Sequence, residues 1–152
     1  MFKTAFMISV LLVIGTIACR KGADVAEKPK EEQTKFPPPK WKADETGRYP
    51  ASMTAVVVLP ALLQTAITEE DQLAAFIGGE CRGEGARVRV GSTDMYFVLI
   101  RGLADEQSPV TFKYYNAKSS YLYQTGPVVN FMIDGVYGTA ESPKVLDLSP
   151  VK

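Results

Sequence analysis

The chain has 152 residues, 17 Lys/Arg against 17 Asp/Glu, two cysteines and no histidine. That length holds one domain plus accessory segments. Without histidine the commonest general base and metal ligand are missing, which excludes Ser-His and Cys-His catalysis and the usual zinc sites. Residues 20–48 carry eight basic and six acidic side chains, and residues 49–152 carry eight and eleven. Neither part has the clustered basic face of a nucleic-acid binder, and the mildly acidic remainder favours solubility.

Residues 1–18 have one early positive charge, Lys3, an apolar run from Ala5 to Ile14, and a small-residue exit at Gly15-Thr16-Ile17-Ala18. These are the regions of a signal peptide, and the run is too short for an ordinary spanning helix. Cys19 follows at once, and Ala18-Cys19 resembles the lipobox of bacterial lipoproteins, although Thr16 stands where leucine is usual. The resemblance implies a mature N-terminus at Cys19 carrying acyl chains, and so a stable membrane anchor at ~0.8 kcal/mol per buried methylene. Cleavage with a free Cys19, giving a secreted or soluble periplasmic protein, is the alternative.

The stretch 19–48 mixes charges with few large apolar residues, a composition expected to stay disordered. Pro37-Pro38-Pro39 stiffens it into an extended spacer, and Trp41 is expected to pack on the domain edge.

From Tyr49 the pattern changes. Ser52–Leu59 is a β-branched run ended by Pro60 and predicts a strand. Residues 61–67 are ambiguous between a helical turn and loop, and 68–71 are a polar loop. Leu73–Ile77 reads as a buried strand, and Gly78-Gly79 suits a two-residue hairpin needing positive φ. Cys81–Val90 is the answering strand, in which Gly83 and Gly85 predict a bulge or a close backbone approach. Strands are expected over 94–100, 110–115, 121–123, 128–133 and 145–148, with Asp134-Gly135 as a turn. Seven to nine short strands predict an all-β, immunoglobulin-like or related antiparallel β-sandwich over 49–152.

The run Asp-Gln-Leu-Ala-Ala-Phe-Ile-Gly-Gly-Glu-Cys-Arg-Gly (71–83), with Tyr96-Phe97 and Val110-Thr111-Phe112-Lys113-Tyr114-Tyr115, resembles a β-sandwich module recurring in exported and surface proteins of Bacteroidota. That resemblance covers about residues 49–143 and implies an envelope location, a sandwich fold and no assigned catalytic residues. In such modules an aspartate often stands at the position of Gly79, so no acid role carries over to this turn.

Three groups are candidates for chemistry. Glu69-Glu70-Asp71 offers hard oxygen ligands, but without the spacing of a calcium loop it reads as a solvated acidic loop. Cys81 and Arg82 fall on opposite faces of a regular strand. Cys81 is expected in the core and Arg82 exposed, or paired with Glu80 or Glu84. Tyr114, Tyr115, Tyr121 and Tyr123 cluster on one predicted hairpin, where cross-strand aromatic pairing competes with ligand stacking. They are the candidate ligand-binding residues. No pair among Glu80, Glu84, Asp94, Asp134 and Asp147 is singled out for glycoside hydrolysis.

The expected function is therefore a non-enzymatic, lipid-anchored envelope module that recognises a glycan or an envelope protein, with no cofactor, metal or nucleic acid. The anchoring membrane is expected to be the outer membrane. An accessory subunit pairing through an edge strand is the alternative, with a small hydrolase behind it.

Overall fold

The structure is a computed structural model, and it describes residues 33–152. The expected signal segment 1–18, Cys19 and the tether as far as residue 32 lie outside the described residues. What is described is all-β, with one curled mixed sheet of ten strands. Six strands are substantial: β1 (Ala51–Val58), β2 (Gln72–Ile77), β3 (Glu80–Val90), β4 (Thr93–Gly102), β5 (Pro109–Asn116) and β6 (Tyr121–Gln124). Four are two-residue pieces: β7 (Val129–Asn130), β8 (Val136–Tyr137), β9 (Lys144–Val145) and β10 (Ser149–Pro150). A single helical turn, α1 (Ala61–Gln64), resolves the ambiguous 61–67 segment. The strands lie in the order β10-β6-β5-β2-β3-β4-β1-β8, with β7 on β5 and β9 on β1.

The curl originates in β3. Its first half pairs with β2, from Ile77↔Glu80 to Ala74↔Glu84, and its second half pairs with β4, from Gly85↔Val98 to Val90↔Thr93. Between Phe76↔Cys81 and Ala75↔Gly83 the register shifts, leaving Arg82 as an extra residue on β3. A bulge of this kind bends and twists its strand. A Cβ on Gly83 would lie 2.4 Å from the Leu99 carbonyl oxygen, and one on Gly85 would lie 3.0 Å from Leu73. Both glycines thus mark close backbone approaches, as their place inside a strand suggested.

Alternation then fills the concave side. Met53, Ala55 and Val57 of β1 meet Leu73, Ala75 and Ile77 of β2, Tyr96, Val98 and Ile100 of β4, and Val110, Phe112 and Tyr114 of β5. Phe131 and Leu146 complete this core.

Three expectations need correction. The strand over 128–133 is reduced to β7, because the chain turns at 132–135, where Gly135 N–H donates to Met132 C=O at 2.9 Å and Asp134 has φ 56°. Of the closing strand expected over 145–148, only Val145 lies in a strand, β9 on β1, while the chain goes on to β10 beside β6. The sheet is mixed rather than antiparallel, because β8 and β9 run parallel to β1 along its outer edge. Gly138 permits that approach, since a Cβ there would lie 2.4 Å from the Val56 carbonyl oxygen.

Residues 33–48, expected within the tether, lie against the sheet. Lys35 bridges Tyr121, Phe36 N–H donates to Ser120 C=O at 2.8 Å, and Ala43 N–H donates to Glu84 Oε1 at 3.1 Å. Trp41 packs edge-on to Phe76 at 5.5 Å, as a lone tryptophan beside a domain should. The prolines pre-extend this segment, and Phe36 and Trp41 supply attachment that charge composition alone does not reveal.

The hairpin glycines Gly78 (φ 58°) and Gly79 (φ 82°) face open space, so an added Cβ meets only backbone strain. Gly79→Ala is expected to cost about 1–2 kcal/mol. Gly83→Ala, which drives a methyl into a carbonyl, should cost about 3 kcal/mol. Denaturant melts of the two variants check this ranking.

Candidate functional site

Arg82 and Asp71 each centre a polar cluster, and Glu106 of the first also lines a cleft. The first cluster surrounds Arg82. The bulge turns this side chain inward, to 7% exposure, so the expected exposed arginine is corrected. Its guanidinium carbon lies 3.5 Å from the centroid of the Tyr49 ring. Nη1 donates to Glu106 Oε2 at 3.2 Å and to the Arg101 carbonyl at 3.3 Å. Nε sits 3.6 Å from Glu80 Oε2, an ion pair too long for a hydrogen bond. Glu80 also accepts from the Tyr49 hydroxyl at 2.7 Å. Pairing with Glu80 was among the expectations for Arg82, whereas Glu106 was not.

Cys81 is half-buried rather than in the core, because the bulge puts it opposite outward-facing Phe76. Burial raises its thiol above the ordinary value, the opposite of what a nucleophile needs.

The second cluster surrounds Asp71. Its carboxylate accepts from Thr68 N–H at 3.1 Å, Thr68 Oγ1 at 2.9 Å, Ala117 N–H at 2.8 Å and the Tyr114 hydroxyl. The acidic loop is thereby tied to the β5–β6 turn, and the Asp71 oxygens are engaged by protein donors. Among the described residues no group of three or more acidic or cysteine side chains is placed to hold a metal ion.

Of the four candidate tyrosines, Tyr114 and Tyr115 are 0% and 2% exposed. Tyr115 donates to the Phe36 carbonyl at 3.3 Å. Tyr123 is partly buried against the core, 6.1 Å from Tyr114. Tyr121 is partly buried where Lys35 bridges it. A coplanar, solvent-facing pair for stacking on a sugar is not formed by these rings.

The cleft, of about 550 Å³, lies between residues 104–107 and 129–133. Phe131 forms its base and is seated on Gly102, where a Cβ would lie 2.5 Å from the ring. Met132 and Ile133 stand on one wall, 62% and 47% exposed. Glu106 stands on the other, held from behind by Arg82 and by Leu103 N–H at 3.1 Å. Asp105 beside it is exposed and makes no ion pair. The lining therefore offers exposed apolar side chains at Met132 and Ile133 and one unpaired carboxylate, Asp105. Reading 128–133 as a strand hid this site. The clue was its pattern, where apolar Phe131, Met132 and Ile133 run consecutively up to Asp134-Gly135 instead of alternating.

Comparison with protein-family models, with curated proteins and with solved structures finds no match to this chain.

Glu106→Ala strands a buried guanidinium and should cost about 3 kcal/mol. Arg82→Met keeps the volume without the charge and should cost less, which chemical denaturation of both variants decides. A second test concerns Tyr96 and Tyr114, whose hydroxyls titrate well above the ordinary tyrosine value. Burial is the chief cause in both, followed by the Asp71 charge for Tyr96 and the Asp71 hydrogen bond for Tyr114. Unfolded tyrosine ionises near ~10, so above that pH the folded chain holds the extra protons. This contribution is complete at lower pH, and stability falls as pH rises past that point. Tyr96→Phe removes a buried hydroxyl with no hydrogen-bond partner. It should be neutral or stabilising by ~1 kcal/mol, whereas Tyr114→Phe should cost about 1.5–3 kcal/mol. Each should flatten the alkaline loss in urea melts between pH 8 and 11.

Proposed function

We propose that this chain is a non-enzymatic binding module of the cell envelope, held to the outer membrane by acyl chains on Cys19. The partner is a protein that inserts an apolar side chain flanked by lysine or arginine into the 104–107/129–133 cleft. The observation carrying this reading is the cleft lining, apolar at the exposed Met132 and Ile133 and acidic at Asp105. Ligand sites commonly combine an apolar lining with a few polar groups. The Glu106 carboxylate is committed to Arg82, which argues against its use as a catalytic acid. Burial of the Tyr114 and Tyr115 rings favours a protein over a glycan as partner.

On this reading the curled sheet is an immunoglobulin-like or related sandwich whose two layers stay continuous through β3. Support comes from the shared core of β1 and β4 against β2 and β5. The lipobox-like Ala18-Cys19 and the resemblance of 71–83 to an exported module support the location.

Short peptides with leucine or phenylalanine between lysines should shift the NMR signals of Phe131–Ile133. Met132→Asp, at an exposed position, should weaken that binding at least tenfold without lowering stability. No shift at millimolar peptide, or full binding by the variant, overturns the cleft assignment. Separately, the mass of the N-terminal peptide should include acyl groups, and Cys19→Ser should move the protein to the soluble fraction. An unmodified N-terminus overturns the anchor.

A further inference from the structure

A second surface, remote in chemistry from the cleft, is the outer edge of β3. Along Gly85–Val90 one edge of this strand pairs with β4. Among the described residues no strand pairs with the other edge, since β2 pairs only as far as Glu84. Ala86, Arg87, Val88, Arg89 and Val90 are all exposed. The long strands at the two ends are flanked instead, β6 by β10 and the Lys35 bridge, and β1 by β8 and β9.

The two faces of this open edge differ. The register sets Ala86, Val88 and Val90 beside Phe97, Met95 and Thr93, next to the apolar group Val56, Val58, Met95 and Phe97. Val88 and Val90 remain 44% and 42% exposed there. On the opposite face Arg87 and Arg89 share a single carboxylate, Asp94, at 4.0 and 3.4 Å, and Arg87 also donates to the Thr68 carbonyl at 3.1 Å. Glu69 and Glu70 are exposed and make no ion pair with either arginine. Natural edges are commonly guarded by charge, but a guarded edge has no use for two exposed valines on its other face.

We propose that the Ala86–Val90 edge takes up an extended strand from a partner protein, one that alternates carboxylates with β-branched apolar residues. Its main chain pairs with the open edge, its apolar residues extend the Val88/Val90 row, and its carboxylates supply the charge that Asp94 alone does not. Strand addition of this kind draws affinity from main-chain hydrogen bonds and specificity from alternate side chains. A second copy of this chain is a poorer occupant. Antiparallel pairing centred on Val88 would set Arg87 opposite the other copy's Arg89, and like charges directly opposite are destabilising.

The test uses the full chain and two synthetic peptides, one alternating valine with glutamate and its twin with lysine for glutamate. At low salt the glutamate peptide should bind at least tenfold more tightly than the twin. It should slow hydrogen exchange of the alternate amides in Ala86–Val90 that do not bond to β4, while leaving Phe131–Ile133 unchanged. That separates its outcome from the cleft experiment. Arg87→Glu with Arg89→Glu should invert the preference. Should that double variant not fold, Arg89→Gln alone should reduce the discrimination several-fold. Equal binding of the two peptides, no protection at millimolar peptide, or protection that rises with protein concentration in the absence of peptide overturns the proposal, the last in favour of a second copy.

Discussion

One strand, β3, has to serve two neighbours that lie on different sides of the core. It leaves β2 and joins β4 within the span of Gly83 to Gly85, where a Cβ on Gly83 would run into the Leu99 carbonyl and one on Gly85 would crowd Leu73. The strand makes this bend by carrying an additional residue, and that residue is Arg82. The curl of the sheet and the inward turn of a charged side chain therefore share one geometric cause.

A buried guanidinium obliges the surrounding chain to supply acceptors, since an uncompensated charge away from water costs several kcal/mol. Glu106, the Arg101 carbonyl, the Glu80 charge and the face of Tyr49 meet most of that demand, with Nε left without a hydrogen bond. The pair adds little net stability, because desolvation offsets most of the Coulomb attraction. Its effect is directional: it fixes the 103–106 loop, and so one wall of the cleft, at a set distance from Phe131. A loop positioned by a rigid scaffold is where binding surfaces commonly form.

The same bend leaves the last five residues of β3 without a second neighbour. The outward face of β2 carries Phe76 under Trp41, so the leading segment shields that half of the sheet. The other half, where Val88 and Val90 sit, gets no such cover from the described chain. Cleft and open edge are thus both consequences of where β3 changes partners.

Much of this was legible from residues alone. β-branched runs, the Gly78-Gly79 turn and period-two alternation specify strands 1 to 6, because local backbone sterics and single-residue burial suffice to set them. Gly83 and Gly85 announced an irregularity in the same way. The identity of the bulged residue was not legible. Alternation assigns Cys81 inward and Arg82 outward, and one extra residue reverses that assignment. Nor could sequence place Glu106, 24 residues from Arg82, or show that Phe36 joins Trp41 in holding a charged segment against the sheet. Local sequence determined the six long strands but not the two-residue pieces after Gln124. Which strand neighbours which, which tyrosines are buried, and which carboxylate meets the arginine were decided only in three dimensions, because they depend on contacts between segments that no local pattern encodes.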